Sequence, residues 1–241
     1  MVVSATPRNA RCPCGSGRKF KRCCAELADT TSRTALAHAA VGQRIQAWAG
    51  EHHRDALDVA WAEITGGREV ALGEVDVQLV ATWIFNDREL RGGGTPAERY
   101  SRLDDLDADE RDIAARIAGA RLGLMRVARV APGLWIELED LTREDLVRVV
   151  SHGVSAHTSP GDLIVARRMD GPRTSSLWGP VGFVSPETGP RLSALLDARI
   201  ASSGPEEGSG ALARAMHKAS MEITILLSVA LRQPVMERQA A

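Results

Sequence analysis

The residues of this sequence best suited to chemistry are its four cysteines, which all lie in the segment CPCGSGRKFKRCC at positions 12–24. Cys12 and Cys14 precede a glycine-rich turn, and Cys23 and Cys24 are adjacent. Four soft thiolates so close together suit a tetrahedral Zn²⁺ ion, and four protein ligands leave no open position for catalysis. The spacing therefore predicts one structural zinc ion that is bound by all four cysteines.

The alternatives to a metal site are a disulfide pair or free thiols. The chain shows no apolar run long enough for a signal peptide or for a membrane-spanning helix. We therefore expect a cytoplasmic protein, in which thiols stay reduced and clustered cysteines bind zinc or another thiophilic ion such as iron. A direct bond between Cys23 and Cys24 would also need strained local geometry.

Charge separates the N-terminal segment from the rest of the chain. The whole sequence has 30 basic and 31 acidic residues and a net charge of −1. Residues 1–25 hold six basic residues and no acidic one, which leaves 24 basic and 31 acidic residues, a charge of −7, for residues 26–241. The segment of charge +6 is expected to bind an anionic partner. Its predicted partner-binding residues are Arg11, Arg18, Lys19, Lys21 and Arg22.

At these residues the sequence resembles a known module. The Cys-x-Cys pair, the Gly-Ser-Gly turn, the basic-aromatic-basic step at Lys19–Lys21 and the final cysteine pair are similar to the SEC-C motif, the zinc-binding tail of the preprotein-translocase ATPase SecA. The resemblance implies that the metal ligands are Cys12, Cys14, Cys23 and Cys24, although the last ligand is often His in the translocase. It also implies contacts with a chaperone, the ribosome and anionic lipid. It covers about a tenth of the chain, and the rest lacks the phosphate-binding loop of the translocase motor.

The body of the chain resembles, more weakly, uncharacterised bacterial proteins that also carry this motif. The shared features are a Trp-x-Phe-x-Asp step at Trp83–Asp87, a Thr-Pro-x-Glu helix start at Thr95 and a Gly-Asp-Leu-Ile-x-Ala-Arg strand at Gly161–Arg167. That family offers no activity, so this resemblance implies no function.

The elements that position these residues are predicted from hydrophobic periodicity and turn signals. With 44% hydrophobic and 25% charged residues, the composition is that of a globular protein. Apolar residues recur at helical spacing in 26–122, where Thr95–Glu98 and Asp107–Glu110 have the pattern of helix starts. Residues 123–185 contain five or six short apolar runs between turns. Helical spacing returns in 186–241.

These patterns predict an α+β fold class and four regions. The regions are a zinc-binding module or knuckle at 1–25, a helical region at 26–122, a small β-barrel or sandwich at 123–185, and C-terminal helices at 186–241. The last three regions form the body of the protein.

No catalytic motif is found in the body. Gly92–Gly94 lacks the lysine and hydroxyl residue of a phosphate-binding loop and is interpreted as a link between helices. His152 and His157 flank a predicted hairpin at 153–156, without the Gly-x-Ser-x-Gly turn of a serine nucleophile. Arg167-Arg168 is the only basic feature of the predicted barrel. We therefore predict that the protein is not an enzyme.

The leading hypothesis is a non-catalytic binding or adaptor protein. Its basic zinc module would dock on an anionic macromolecular surface, which is a protein, the ribosome or RNA, or anionic lipid, in a process linked to protein translocation or chaperoning. The alternative is a nucleic-acid-binding or regulatory protein that uses the zinc module together with the β-barrel as a platform. The five tryptophans lie on separate apolar faces, which favours core packing over base stacking.

Overall fold

A computed structural model of the protein describes residues 6–171, 175–202 and 208–228. The fold class is α+β, as the sequence predicts. The helices in this part of the chain are α1 (Ala25–His52), α2 (Arg54–Thr65), α3 (Glu74–Asn86), α4 (Pro96–Tyr100), α5 (Ala108–Gly119), α6 (His152–Ala156), α7 (Thr188–Ala201), α8 (Ser209–Lys218) and α9 (Ser220–Leu227). The strands are β1 (Leu122–Ala131), β2 (Trp135–Asp140), β3 (Asp145–Val150), β4 (Leu163–Met169) and β5 (Ser176–Phe183).

Two of the predicted helix starts have the hydrogen bonds that their sequences suggest. The Thr95 hydroxyl accepts a bond from the Glu98 N–H, and the Glu98 carboxylate accepts one from the Thr95 N–H, which completes a capping box. The Asp107 carboxylate likewise accepts a bond from the Glu110 N–H at 2.8 Å. Both helix starts are confirmed.

Helix α1 is the longest element of the described chain. Its 28 residues span about 42 Å at the usual helical rise. Its first half is largely exposed, whereas Val41, Ile45 and Ala49 in its second half are buried. A side chain at Gly42 would place its Cβ 2.3 Å from the Trp178 ring, so only glycine lets α1 approach β5 this closely.

The five strands form one antiparallel sheet in the order β3-β2-β1-β4-β5. The sheet is not closed, so the strands form neither the barrel nor the two-layer sandwich expected for residues 123–185. Register shifts at Val127/Arg129 and Val165/Arg167 increase the twist and curl the two edges towards each other. One isolated bridge joins the two edges, between Val149 of β3 and Ser175 just before β5. In the described chain no other residue pair bridges these edges.

Strand β4 is where three of the hydrophobic clusters meet. Val165 packs with α7, α8 and α9, whereas Met169 packs with α1 and α5. Ile164 and Ala166 face the interior of the curled sheet. The strand is therefore buried along nearly its whole length, including its two arginines.

Arg167 and Arg168 of β4 are paired inside the fold and do not form a basic surface. Arg167 is 3% exposed, and its guanidinium donates two hydrogen bonds to the Asp87 carboxylate at the end of α3, one of them at 2.9 Å. Arg168 pairs with the three carboxylates of Asp140, Asp145 and Asp170. The interpretation of this pair as a basic feature of the barrel surface is therefore wrong.

The segment predicted as a hairpin between His152 and His157 is a short helix, α6. The Ser151 hydroxyl accepts a hydrogen bond from the Val154 N–H and caps this helix. The local capping bond therefore outweighs the turn tendency of Gly153.

Candidate metal centre

The four cysteines form one cluster. All four Sγ atoms lie within 4.8 Å of one another, with 3.5 Å between Cys14 and Cys23 and 3.8 Å between Cys23 and Cys24. Ligands 2.3 Å from a tetrahedral zinc ion are separated by about 3.8 Å, whereas a disulfide bond needs about 2.05 Å. All four cysteines are free. The cluster is therefore positioned to bind one metal ion.

The first two ligands lie on a tight loop. An antiparallel bridge joins Arg11 to Lys19, and the Cys12 N–H donates to the Arg18 carbonyl at 2.8 Å. Between them, Gly15 and Gly17 have φ angles of +79° and +72°, a region that favours glycine. The Gly-Ser-Gly sequence is thus needed to turn the chain around the cysteines.

The last two ligands lie at the start of helix α1. A 3-10 turn at Phe20–Arg22 leads into Cys23, and the Ala28 N–H donates to the Cys24 carbonyl at 3.0 Å. Cys24 is the residue directly before the helix. The start of α1 therefore fixes the positions of the last two ligands.

The cluster packs against the body. Cys12 is 4% exposed and lies in a hydrophobic cluster with Leu134, Trp135 and Val150 from the first hairpin and from β3. Phe20 packs against the same cluster. The metal-binding segment is therefore anchored on the sheet, a contact that the sequence did not predict.

The comparison with family models agrees with this geometry. Residues 8–26 match the SEC-C motif. All four cysteines lie inside this SEC-C segment, as we call residues 8–26 from here on. No curated protein and no solved structure matches the chain.

Hydrogen bonding and burial shift the pKa values of the thiols in the SEC-C segment in opposite directions. The Ser16 hydroxyl lowers the pKa of Cys14 to about 6. Burial raises the pKa of Cys12 and of Cys24. Without metal, Cys14 is therefore mostly thiolate at pH 7, whereas Cys12 and Cys24 hold protons that a metal ion must displace.

We predict a steep pH dependence of metal binding. Each displaced proton weakens the affinity about tenfold per unit of falling pH, so the protonated Cys12 and Cys24 give at least about a hundredfold loss from pH 8 to 7. Below pH 6 the loss becomes steeper because Cys14 also takes up a proton. Competition with a chromogenic chelator, corrected for the chelator's own titration, measures this slope, and a flat profile contradicts the thiol assignments.

Exposed cations surround the cluster. All six basic side chains of the SEC-C segment are exposed, and within the described chain none of them forms an ion pair. One of them also reaches the site, since the Arg18 guanidinium donates to Cys23 Sγ at 3.5 Å. The six residues are Arg8, Arg11, Arg18, Lys19, Lys21 and Arg22.

Some residues of the site could not be found by sequence reasoning. Trp135 and Val150 support Cys12 from more than a hundred positions away, and no local pattern indicates that contact. Trp135 also carries the Arg148 guanidinium over its ring at 4.3 Å, and Arg148 is paired with Glu137. Arg129 also pairs with Glu137 and lies 5.9 Å from the same ring, so this side of the metal site is held by packing and has two arginines on one carboxylate.

Proposed function

We propose that the protein is a zinc-binding, non-catalytic docking protein whose SEC-C segment attaches it to an anionic macromolecular surface. The observation that carries the proposal is the set of six exposed cations around a site with four thiol ligands. Because all four positions of a tetrahedral ion are filled by protein, the ion has a structural role. It holds the loop in the shape that presents the cations.

The charge distribution supports this docking role. Four thiolates and one Zn²⁺ ion together carry −2, so the metal-loaded residues 1–25 keep a charge near +4 beside a charge of −7 on residues 26–241. Such a dipolar molecule turns its basic end towards an anionic surface as it approaches. The acidic body disfavours binding in other orientations.

Zinc is the metal that we propose for the site. Four thiolates also suit iron, but a single tetrahedral site with four cysteines and a structural role is typical of zinc. The proposal places the protein in a reducing compartment such as the cytoplasm, because thiolates bind metal only while they stay reduced. Among the helices that the structure describes, none is long and apolar enough to cross a membrane.

The alternative, in which the sheet serves as a nucleic-acid platform, has less structural support than the docking role. Such platforms combine exposed aromatic and basic side chains. Here Arg167 and Arg168 are buried and paired, and Trp135 is 4% exposed. RNA therefore enters the proposal only as one of the anionic surfaces that the SEC-C segment could contact.

Charge reversal on the SEC-C segment tests the proposal. The variant Lys19→Glu/Lys21→Glu/Arg22→Glu should bind its polyanion at least about tenfold more weakly than the wild-type chain and show a shallower salt dependence. The probes are polyglutamate, ribosomal RNA and vesicles with anionic lipid, measured by anisotropy or sedimentation over a range of salt concentrations.

A matched control reverses the same number of charges elsewhere. Arg91, Arg102 and Arg191 are exposed and lie outside the SEC-C segment, so their replacement by Glu gives the same net charge. This control should retain affinity within about twofold if position matters more than net charge. Equal weakening of both variants, or no binding of the wild-type chain to any probe at low salt, contradicts the proposal.

A further inference from the structure

A cleft lies beside the SEC-C segment, but no residue of that segment lines it. Its volume is about 540 Å³, and it is bounded by the exposed half of α1, by the ends of β3 and β4 and by the start of β5. Clefts of this size hold small organic molecules. Met169, Leu177 and Trp178 give it largely apolar walls.

His38 of α1 lines this cleft and has an unusual environment. The residue is 6% exposed, yet its ring has no hydrogen-bond partner among the residues that the structure describes. Its ring nitrogens are not among the fully buried side-chain atoms without a partner, so they reach the open space of the cleft. Burial lowers the pKa of His38, so its imidazole is neutral at pH 7 and keeps one nitrogen free to accept a hydrogen bond.

A second imidazole lines the same cleft. His152 Nδ1 lies 2.6 Å from the Gly133 carbonyl oxygen, and because a carbonyl only accepts, Nδ1 carries the proton. In the neutral ring, Nε2 is then an acceptor. The cleft therefore offers hydrogen-bond acceptors from two different elements, α1 and α6.

The two carboxylate and guanidinium side chains in the described part of the cleft wall already have partners. Asp170 accepts hydrogen bonds from Arg143 and Arg168, and Arg116 is paired with Asp112 on its own helix. A charged ligand would have to compete with these pairs or remain unneutralised. The wall thus favours an occupant without charge.

From the cleft, its paired charges and a histidine without a hydrogen-bond partner in the described chain, we propose that the protein binds an uncharged aromatic or heteroaromatic molecule, up to the size of a nucleoside, that donates a hydrogen bond to His38. The aromatic body lies against the apolar wall formed by Met169, Leu177 and Trp178. This site uses neither the cysteines nor the basic residues, so it stands independently of the docking function.

Three probes of one shape test the charge requirement. Benzamide is neutral and donates from its amide, benzoate is an anion and benzamidine is a cation. With methyl-labelled methionine, benzamide should shift the Met169 signal saturably and leave the buried Met125 and Met216 signals unchanged. Benzamide should bind at least about fivefold more tightly than either charged analogue. Tighter binding of a charged analogue, or no saturable shift of Met169, overturns the proposal.

Variants of α1 locate the site. Ala39 is exposed and lines the cleft, so Ala39→Trp should fill it and weaken benzamide binding at least about tenfold. Ala40 is exposed, lies about 100° further around the helix and does not line the cleft, so Ala40→Trp should keep affinity within about twofold. Unchanged Met125 and Met216 signals show that each variant is folded. Equal affinity of these two variants overturns the assignment of the cleft.

His38 variants test the hydrogen bond itself. His38→Leu keeps an apolar helix contact but removes the acceptor, and should weaken benzamide binding about three- to tenfold. His38→Gln restores an acceptor and should recover affinity to within about threefold of the wild-type chain. If the His38→Leu and His38→Gln variants bind benzamide equally well, His38 is not the residue that recognises the probe.

Discussion

Replacing Cys12 by serine should abolish zinc binding at equimolar concentrations and unfold the SEC-C segment. A hydroxyl group at neutral pH is a poor zinc ligand, and Cys12 is the most buried of the four cysteines. Structural zinc sites contribute about 10–16 kcal/mol of binding free energy that holds the local fold. Changes to residues around the metal ligands weaken metal affinity by up to about a hundredfold. The loss of one ligand should therefore weaken it by more than that.

Metal analysis and amide hydrogen exchange measure this result. The amides of Cys12 and Phe20, which bond to the carbonyls of Arg18 and Ala10, should lose protection in Cys12→Ser and in the wild-type chain treated with a chelator. Ser16→Ala is the control for stoichiometry: the Ser16 hydroxyl lies 3.2 Å from Cys23 Sγ and lowers the pKa of Cys14 but is not a ligand, so this variant should keep one metal ion per chain at reduced affinity. One metal ion per chain in Cys12→Ser, bound as tightly as in the control, contradicts the site.

The second large effect is expected at the ion pair between Asp87 and Arg167. Asp87→Ala leaves the Arg167 guanidinium buried without its carboxylate, and should lower the free energy of unfolding by about 3–5 kcal/mol. The double variant Asp87→Ala/Arg167→Met should be more stable than Asp87→Ala alone, because it removes the uncompensated charge. Urea denaturation of the three chains measures both differences.

An exposed pair in the same sheet provides the comparison. Arg126 and Glu139 pair across β1 and β2 with 48% of each side chain exposed, so Glu139→Ala should cost less than about 1 kcal/mol. If Asp87→Ala costs no more than Glu139→Ala, the buried pair does not hold α3 to β4.

The metal cluster could be predicted from the sequence because its chemistry is local. Cys12 and Cys24 are close in the chain, and a metal ion constrains the loop between them whatever the body does. The capping box at Thr95 is predictable for the same reason, since its partners are three residues apart. The five strands also lie where short apolar runs between turns place them.

The contacts between distant segments could not be predicted in this way. The sequence predicts a surface position for Arg167 because arginine is mostly exposed in proteins. Its burial depends on the pairing with Asp87, 80 positions away. Both residues belong to the stretches that resemble other SEC-C-bearing proteins, but that resemblance gave no pairing. The curl of the sheet depends on register shifts near Val127 and Val165, which turn signals do not reveal.

His38 was missed for a related reason. It lies in the part of α1 whose residues 29–37 are mostly exposed, so its position in the sequence suggests a solvated side chain. Its burial comes from elements far along the chain, such as the residues around Arg116 and Trp178 that line the cleft with it. A single histidine without a motif carries no signal of that arrangement.

The near-meeting of β3 and β5 has a consequence for the behaviour of the protein in concentrated solution. An open sheet presents two rows of unpaired backbone groups that can template intermolecular strand pairing and polymerisation. Here the bridge between Val149 and Ser175 brings these rows together, and α1 contacts β3 alongside them. At this end of the sheet each edge thus blocks the approach of a second molecule to the other, so we expect edge-to-edge aggregation to be weaker than for a fully open sheet.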